Sequence, residues 1–331
     1  RVAAPVHIRI KPTNRCNHNC WYCAYRVDHL QLGEGMREAD QIPEAKMMEI
    51  ADDLIAIGVK AVTFSGGGEP LLYKPLPAVI DRLAEGGIRI ATLTNGSNLK
   101  GRVGEALARH ATWVRISVDA WDDASYTAAR GASPGAFTQL LANVRDFKAT
   151  GTRAVLGVSL IVSKDNASRV FEISRLFKEA GAGHVKLSAA VVANDAAANN
   201  AYHREFRETV EPQIALCRTL VGDGFSVLDH YHEMTEGFEK PYATCPYQMF
   251  LTVIGADQHV YTCQDKAYAQ AGDMGSIEHR SFRELWFSDE HRERLHAFDP
   301  RSQCRHHCVT HSKNLSILEY LSIDPEHAVF V

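Results

Sequence analysis

Short apolar runs alternate along the chain with segments whose apolar residues recur at helical spacing. Six runs predict buried strands, at residues 6–10, 61–65, 88–94, 113–119, 155–162 and 184–192, and a further short strand is predicted near 225–228. Between the first two runs, Met47, Ile50, Ala51 and Leu54 share one face of a predicted helix. Because strands and helices alternate strictly, the pattern predicts an α/β fold with parallel strands and right-handed crossovers.

Three cysteines follow the first predicted strand at a C-x3-C-x2-C spacing: Cys16, Cys20 and Cys23. Three thiolates on one short loop can converge on one metal centre, but a structural zinc ion usually takes four ligands. A four-iron cluster held by these three would keep one iron without a protein ligand, and such an open position can bind a substrate or cofactor. The alternatives are a zinc site completed by a distant His or Cys, and cysteines that only pack in the core.

The second predicted strand ends in a run of glycines followed by a carboxylate: Gly66, Gly67, Gly68 and Glu69. A strand that ends in glycines allows a ligand to lie directly against the backbone. A flexible turn is the alternative interpretation. The cysteine motif and the glycine segment, in this order along the chain, are more specific together than either is alone.

The cysteine spacing, with the aromatic Tyr22 directly before the third cysteine, resembles the signature of the radical S-adenosylmethionine (radical SAM) enzymes. The resemblance implies a four-iron, four-sulfur (4Fe-4S) cluster whose open iron is chelated by the amino and carboxylate groups of S-adenosylmethionine. One electron from the cluster then cleaves a carbon–sulfur bond and releases a 5′-deoxyadenosyl radical. The resemblance also implies a one-electron donor such as flavodoxin or ferredoxin, and a glycine segment that receives the methionine amino group.

The family's fold is a partial (β/α)6 TIM-like barrel, which the six predicted strand–helix units match. Ligands in such folds lie at the carboxyl ends of the strands. Further candidate cofactor residues therefore fall at the mouth that holds the cysteines: Tyr22, Asn95, Ser117, Asp119 and Asn166. Residues 24–42 are predicted to form a loop over this mouth.

The resemblance implies specific roles for two of these positions and for one arginine. The strand end at Ser117 and Asp119 often contacts the cofactor ribose in the family, although a strand-end hydrogen bond or a helix cap explains either residue as well. Arg130, in the following segment, is a candidate partner for the cofactor carboxylate. A solvated arginine is the alternative.

Composition limits the class of protein. The chain has 331 residues, of which 45% are apolar and 23% charged, as in a soluble globular protein with a full core. A net charge of −4 offers no basic field for nucleic acid or acidic lipid. No apolar run is long enough to span a membrane, and no secretory signal is visible. The eight cysteines occur in groups, which predicts metal ligands in a reducing, cytoplasmic compartment instead of disulfides.

A second cysteine group lies near the end of the chain. Cys245 and Cys263 flank two predicted strands, 248–254 and 260–262, and a hairpin of these strands brings the two thiols close together. Cys304 and Cys308 follow at a C-x3-C spacing. The four thiols make a complete ligand set.

This group resembles the twitch version of the SPASM extension of radical SAM enzymes, in which a hairpin pair and a later pair of cysteines bind an auxiliary 4Fe-4S cluster. We therefore expect a barrel over residues 1–230 and a small hairpin and helical cluster domain over residues 231–331. The full SPASM form uses three more cysteines. The sequence departs from the pattern at Gln258, where a glycine is common. Four thiolates suit zinc equally, so a zinc site is the alternative.

A cluster with four protein thiolates has no open iron, so electron transfer is its expected role. The resemblance implies dehydrogenation or epimerisation of a small polar substrate similar to a carbohydrate or aminocyclitol. Related enzymes modify ribosomally made peptides, often with a peptide-recognition domain before the barrel. The 15 residues before Cys16 and the short tail to Val331 favour the small-molecule substrate. A zinc-bound structural module is the non-enzyme alternative.

Cys217 lies outside both cysteine groups. It shares a helical face with Ile214, Leu220 and Val221, which predicts simple packing in the core. The alternative is a catalytic role, in which the thiol donates a hydrogen atom to a substrate radical because its S–H bond is weak. That role belongs to the epimerase hypothesis.

Overall fold

A computed structural model describes residues 2–27, 30, 33–232, 237–324, 326–327 and 330. Within these residues the strands are β1 (His7–Ile10), β2 (Ala61–Phe64), β3 (Arg89–Thr94), β4 (Ala111–Ser117), β5 (Val155–Val162), β6 (His184–Ala189), β7 (Ser226–His230), β8 (Leu251–Ile254), β9 (His259–Tyr261) and β10 (Asp273–Ser276).

The helices within the same residues are α1 (Glu44–Ala56), α2 (Leu76–Glu85), α3 (Gly101–His110), α4 (Asp123–Arg130), α5 (Ala136–Ala149), α6 (Val170–Glu179), α7 (Ala196–Arg204), α8 (Arg207–Arg218), α9 (Phe282–Trp286), α10 (Asp289–Ala297), α11 (Pro300–Gln303) and α12 (His311–Ser322). None of them is both long and apolar enough to cross a membrane.

The strands form one sheet in the order β10-β9-β8-β1-β2-β3-β4-β5-β6-β7. Strands β1 to β7 are parallel neighbours in chain order, with a helix or a pair of helices in each crossover. The predicted fold, a partial TIM-like barrel of six strand–helix units, is confirmed. The further short strand predicted near 225–228 is also present, as β7, and it forms a seventh parallel strand at the far edge.

The strand faces explain why the helices pack where they do. Side chains that alternate along β1, β2 and β4 on one face, such as Ile8, Val62 and Val114, are fully buried and apolar. They form one core with helix residues such as Met47 and Leu54. This burial of branched apolar side chains holds the helical layer on the outside of the sheet.

The C-terminal hairpin continues the barrel sheet. Strand β8 pairs in parallel with β1, with Ile10 opposite Ile254, and β9 and β10 then add antiparallel strands. The hairpin was predicted, but its pairing with β1 and the strand β10 were not. The predicted boundary between the barrel domain (1–230) and the cluster domain (231–331) stays a prediction. Within these two ranges, residues 1, 233–236, 325, 328–329 and 331 lie outside the described residues. The same holds for residues 28–29 and 31–32 of the predicted mouth loop.

The turn between β8 and β9 accounts for the preference for glycine at position 258. Gln258 has a φ of +63°, in the left-handed region that costs a side-chain-bearing residue about 1–2 kcal/mol. Its backbone is fixed on both sides, since Gln258 N donates to Gly255 O at 3.0 Å and Gln258 O accepts from Ile277 N at 2.8 Å. The turn therefore retains a conformation that its side chain disfavours.

We expect opposite results from two substitutions in this turn. Gln258→Gly should leave the free energy of unfolding unchanged or raise it by up to about 1 kcal/mol, because relief of left-handed strain exceeds the entropic cost of glycine. Gln258→Val should lower it by about 1–2 kcal/mol, because a β-branched residue tolerates positive φ least. Chemical denaturation measures both values. Gln270→Val, at an exposed glutamine without positive φ, is the control, and an equal loss there would contradict the explanation.

Candidate functional site

The loop of Cys16, Cys20 and Cys23 lies at the carboxyl ends of the parallel strands. Asn17 Nδ2 donates to Ser97 Oγ at 2.9 Å, and Asn95 Nδ2 donates to Asn17 Oδ1 at 2.9 Å, both beyond the end of β3. All three thiols are free and half-buried. The predicted proximity of Asn95 to the cysteine loop is therefore present in the structure.

Burial affects two thiols of this loop, Cys16 and Cys20. It raises the pKa of Cys16 to about 11 and also raises that of Cys20, although the charge of Arg130 acts in the opposite direction. A thiol must lose its proton to become a metal ligand. A metal or cluster that binds Cys16 and Cys20 must therefore displace a proton that their burial helps to retain.

The glycine segment packs directly on the chain that leads into the cysteine loop. Gly68 N donates to Thr13 O at 3.2 Å, and Glu69 N donates to Arg15 O at 2.8 Å. A Cβ at Gly68 would lie 2.1 Å from Arg15 O, and one at Gly67 would lie 2.4 Å from the side chain of Asn14. The glycines were predicted to let a ligand lie against the backbone. At Gly67 and Gly68, however, the space beside the backbone is occupied by Asn14 and Arg15 of the chain itself.

Glu69 joins the ends of β2 and β3. Its buried carboxylate accepts from Leu71 N at 3.0 Å, from Thr94 Oγ1 at 2.5 Å and from Asn95 N at 2.7 Å. Burial raises the pKa of Glu69, and these three donors oppose that rise. Two of the donors share Oε1, so Oε2 retains capacity for another donor.

A buried ion pair lies beside Cys20. Arg130 Nη2 and the Tyr22 hydroxyl both donate to Asp119 Oδ2, while Asp119 Oδ1 accepts from Ile161 N at 2.7 Å. Arg130 Nη1 is 3.9 Å from Cys20 Sγ. Arg130 is thus not a solvated arginine: its charge is buried between a carboxylate and a cysteine of the loop.

Helix α4 positions this arginine. The helix begins at a capping box between Asp122 and Ser125 and ends at Arg130. Arg130 O accepts from Asn19 N at 2.7 Å, so the end of α4 is fixed to the cysteine loop. The guanidinium also lies over the ring of Tyr126, at 5.6 Å from its centroid.

The two remaining predicted residues differ in accessibility. Asn166 is buried, and its Nδ2 donates to Asp119 O at 3.0 Å and to Ile161 O at 2.9 Å, while its Oδ1 accepts from Ser163 N at 2.9 Å. It therefore joins the ends of β4 and β5. Ser117, the last residue of β4, is half-exposed.

Sequence reasoning missed a network that bridges the two cysteine groups. Lys11 Nζ donates to the Tyr25 hydroxyl at 2.8 Å and to Gly66 O at 3.1 Å. The Tyr25 hydroxyl in turn donates to Gln264 O at 2.9 Å, next to Cys263. The sequence did offer one signal for this network. Lys11 directly follows β1 and continues the alternation of that strand with a charged residue.

The four C-terminal cysteines lie near one another. Burial raises the pKa of Cys263 well above its usual value, as do the neighbouring charges of Asp265, Cys308, Cys304 and Cys245. Burial likewise raises the pKa of Cys304 to about 12. The thiols of the hairpin and of the later C-x3-C segment are thus within electrostatic range of one another, and a shared metal centre stays a prediction.

Polar groups surround these sulfurs. Asn314 Nδ2 donates to Cys245 Sγ at 3.3 Å, and Thr310 Oγ1 lies 3.4 Å from Cys308 Sγ. Lys240 is buried and donates to the carbonyls of Gly237 and His306, which fixes the segment between the last two cysteines. Such contacts to ligand sulfurs adjust the potential of a metal centre.

The donor chemistry of both groups suits iron–sulfur clusters. Among the described residues, no three or more His, Cys, Asp or Glu side chains are arranged to hold a single metal ion. A 4Fe-4S cluster requires a different arrangement, because each thiolate binds its own iron and the sulfurs need not converge on one point. Groups of three and four thiols suit that requirement, because thiolates are the ligands of such clusters.

Cys217 lies apart from both groups, in the helical layer. It is fully buried on α8, and its Sγ lies 3.4 Å from Ser174 Oγ on α6. Its thiol therefore faces a helix on the outside of the sheet. This environment is that of a packing residue.

Known proteins resemble different lengths of the chain. The model of the radical SAM superfamily matches residues 10–177, just over half of the chain, which include the first cysteine group but not the second. A probable GTP 3′,8-cyclase from Sulfolobus acidocaldarius is 28% identical over 167 residues, which is 50% of each protein. The sporulation killing factor maturation protein SkfB from Bacillus subtilis is 24% identical over 264 residues, 78% of this chain and 60% of that protein.

A solved structure agrees over a longer range. SuiB from Streptococcus suis, bound to S-adenosylmethionine, has a TM-score of 0.67 and 14% identity over 89% of this chain and 68% of its own. At 14% identity, this similarity shows a shared fold and nothing further. The chain spans about half the length of the cyclase relatives that it matches.

The contact between Gly68 and Arg15 can be tested by adding one methyl group. Gly68→Ala should lower the free energy of unfolding by about 1–3 kcal/mol, because backbone atoms cannot move aside as a flexible side chain can. It should also reduce the iron that the protein binds after anaerobic reconstitution, since the cysteine loop is displaced. Gly183→Ala is the control, because its Cβ would have no neighbour closer than 3.6 Å. Equal iron in both variants would contradict a positional role for Gly68.

Proposed function

Because the chain belongs to the radical SAM superfamily, we propose that it is an enzyme that abstracts a hydrogen atom from a small polar substrate and oxidises it. The cofactors of the superfamily are S-adenosylmethionine and an iron–sulfur cluster. One observation supports this function above others: the cysteine loop, the glycine segment and the Asp119–Arg130 ion pair meet at one end of the parallel strands. An external flavodoxin or ferredoxin would supply the electron.

We assign the first cluster to Cys16, Cys20 and Cys23. Bound there, the cluster and S-adenosylmethionine would supply a 5′-deoxyadenosyl radical. Arg130 would hold a positive charge beside Cys20, where a negatively charged cluster ligand develops on deprotonation. Its ion pair with Asp119 keeps that charge in place, because a buried pair is costly to separate.

The remaining candidates would act on the cofactor in two ways. Residues 66–69 would present backbone groups and the free capacity of Glu69 Oε2 to the methionine amino group. Ser117, half-exposed at the end of β4, is the proposed ribose contact. Tyr22, Asn95 and Asn166 use their polar atoms within the protein, so we assign them to positioning the strand ends and the cysteine loop.

We further propose that Cys245, Cys263, Cys304 and Cys308 bind an auxiliary 4Fe-4S cluster of the twitch class. Four thiolates leave no iron free, so this centre would transfer electrons. Lys11, Tyr25 and Gln264 connect its surroundings to the first cysteine group through partly buried hydrogen bonds. The upstream radical SAM motif of Cys16, Cys20 and Cys23 supports a cluster over a zinc ion.

The substrate step is then a two-electron oxidation. A carbon–hydrogen bond next to a hydroxyl would lose its hydrogen atom to the 5′-deoxyadenosyl radical, which would become 5′-deoxyadenosine. The substrate radical would next lose one electron, which an auxiliary cluster held by the four C-terminal cysteines could accept, and its hydroxyl proton would pass to solvent or a base as a carbonyl forms. Epimerisation would need a hydrogen-atom donor instead, and the location of Cys217 on the outer side of the sheet favours dehydrogenation.

Maturation of a peptide is the second candidate function. The match to SkfB, named as a maturation protein, extends over 78% of this chain, whereas the match to the cyclase covers 50%. The two functions differ in the substrate that supports turnover. Incubation with S-adenosylmethionine, a reductant and either small polyols or peptides encoded beside the gene separates them by mass spectrometry of the products.

The first cluster assignment predicts a defined iron content. Anaerobic reconstitution should give about eight irons per chain, from two four-iron clusters. Replacement of Cys16, Cys20 and Cys23 by Ala should reduce this to about four and abolish formation of 5′-deoxyadenosine, because no thiolates hold the first cluster. Iron analysis and chromatography of the nucleoside products give the two values. Cleavage that persists in the triple variant would refute the assignment.

The auxiliary cluster should be separable from cofactor cleavage. Cys304→Ala with Cys308→Ala should remove about four irons and stop substrate oxidation, while 5′-deoxyadenosine still forms, because the first cluster keeps its own ligands. Cys217→Ala is the matched control and should keep both clusters. Stoichiometric zinc in protein purified and reconstituted without oxygen would instead support the zinc alternative.

A further inference from the structure

Lys11 lies between the two cysteine groups. It directly follows β1, and its side chain is fully buried. Its Nζ donates to the Tyr25 hydroxyl at 2.8 Å, and Tyr25 is two residues from Cys23. The same Nζ lies 3.5 Å from Oε1 of Gln264, the residue after Cys263. One buried amino group thus contacts the chain next to a cysteine of each group.

The hydrogen bonds around Lys11 fit its charged form. An ammonium has three N–H donors and no acceptor, and three oxygens lie in reach of Nζ: the two above and Gly66 O at 3.1 Å. The Tyr25 hydroxyl can accept from Lys11, since its own proton goes to Gln264 O at 2.9 Å. The ammonium also lies 4.2 Å from the centroid of the Tyr25 ring, a position that favours a cation.

The negative charge near Lys11 comes from one carboxylate and from the cysteines. Asp265, two residues after Cys263, lies within electrostatic range of three cations: Arg9, Lys11 and Lys240. One carboxylate balances only one of these charges. Burial and then the charge of Arg9 lower the pKa of Lys11, whereas negative charges at Asp265, Cys23 and Cys263 raise it. Thiolates in both cysteine groups therefore favour the charged lysine.

We propose that the Lys11 ammonium is shared by the two cysteine groups and makes a cluster bound at either group easier to reduce. Reduction adds one negative charge to a cluster, and a buried cation beside the cluster stabilises that charge. The auxiliary cluster thereby becomes a better acceptor for the electron of the substrate radical. This inference rests on the proposed function, because it requires a four-iron cluster at each group. Lys11 acts through the clusters and does not touch the substrate.

Fixing the chain in place is the alternative role for Lys11, since its hydrogen bonds join the glycine segment to the surroundings of both cysteine groups. The two roles differ in what responds to loss of the charge. A structural role predicts a lower iron content and unchanged potentials in the clusters that remain. A charge effect predicts full iron content and lower potentials, so the test measures both quantities.

The test is a redox titration of each cluster in anaerobically reconstituted protein, followed by electron paramagnetic resonance. The first cluster is titrated in the Cys304→Ala, Cys308→Ala variant, and the auxiliary cluster in the triple alanine variant of the first cysteine loop. Lys11→Met should lower both reduction potentials by about 59 mV or more, which is a tenfold loss in the equilibrium constant for one-electron reduction. Lys11→Arg keeps the charge and should lower them less.

Two further variants separate the charge from the packing. Tyr25→Phe removes the hydroxyl that accepts from Lys11 but keeps the charge, so its shift should be smaller than that of Lys11→Met. Lys178→Met is the matched control and should shift neither potential. Lys178, on α6 in the outer helical layer, likewise donates to a carbonyl, Leu220 O at 2.8 Å, and lies 5.7 Å from the centroid of the Phe225 ring.

The outcomes separate this inference from the function on which it rests. Unchanged potentials in Lys11→Met at full iron content would overturn the inference, and so would equal shifts in Lys11→Met and Lys11→Arg. If Lys11→Met fails to fold by circular dichroism, Lys11→Gln takes its place, because it keeps hydrogen-bond donors without the charge. Iron content and cleavage of S-adenosylmethionine are measured on the wild type, and the absence of both would refute the proposed function, and this inference with it.

Discussion

The close approach of two backbones at the ends of β1 and β2 is the constraint on which the site depends. Residues 13–15 lie against Gly67 and Gly68 so closely that a Cβ at Gly68 would fall 2.1 Å from Arg15 O. The contact fixes where the chain enters the cysteine loop. It also fixes Glu69, whose carboxylate then reaches the end of β3. One steric condition thus aligns the loop with two neighbouring strands.

Electrostatics completes that alignment on the other side of the loop. The ion pair of Asp119 and Arg130 is buried, with Tyr22 from the cysteine loop as a third member. A buried charge needs every partner in place, so displacement of α4 or of the end of β4 would also disturb Cys20. The loop is therefore held by close packing on one side and by charge on the other.

The sequence allowed much of this to be predicted, because the relevant signals are local. The strand at 155–162 was predicted with the observed bounds, since an apolar run records burial directly. The cysteine spacings and the departure at Gln258 were likewise visible as short motifs. Long-range strand pairing could not be predicted in this way, because no local pattern indicates that β8 lies beside β1.

The roles of individual polar residues were harder to anticipate for the same reason. Arg130 and Asp119 were each recognised as candidates, but their mutual ion pair depends on how α4 returns to the end of β4. Lys11 and Gln264 escaped notice because the residues that they contact are distant in sequence. Side chains whose partners are set by tertiary structure are the part that single-sequence reasoning cannot supply.

The pairing of β1 with β8 has a consequence for how the chain is assembled. Strand β1 is synthesised before strands β2 to β7, whereas β8, its partner on one edge, is synthesised after them. Until then, that edge exposes unpaired backbone groups to any extended segment nearby. Closure of such a distant contact is slow, because the intervening chain must first be ordered. The edge of β1 is therefore protected by a segment that emerges only after the intervening strands.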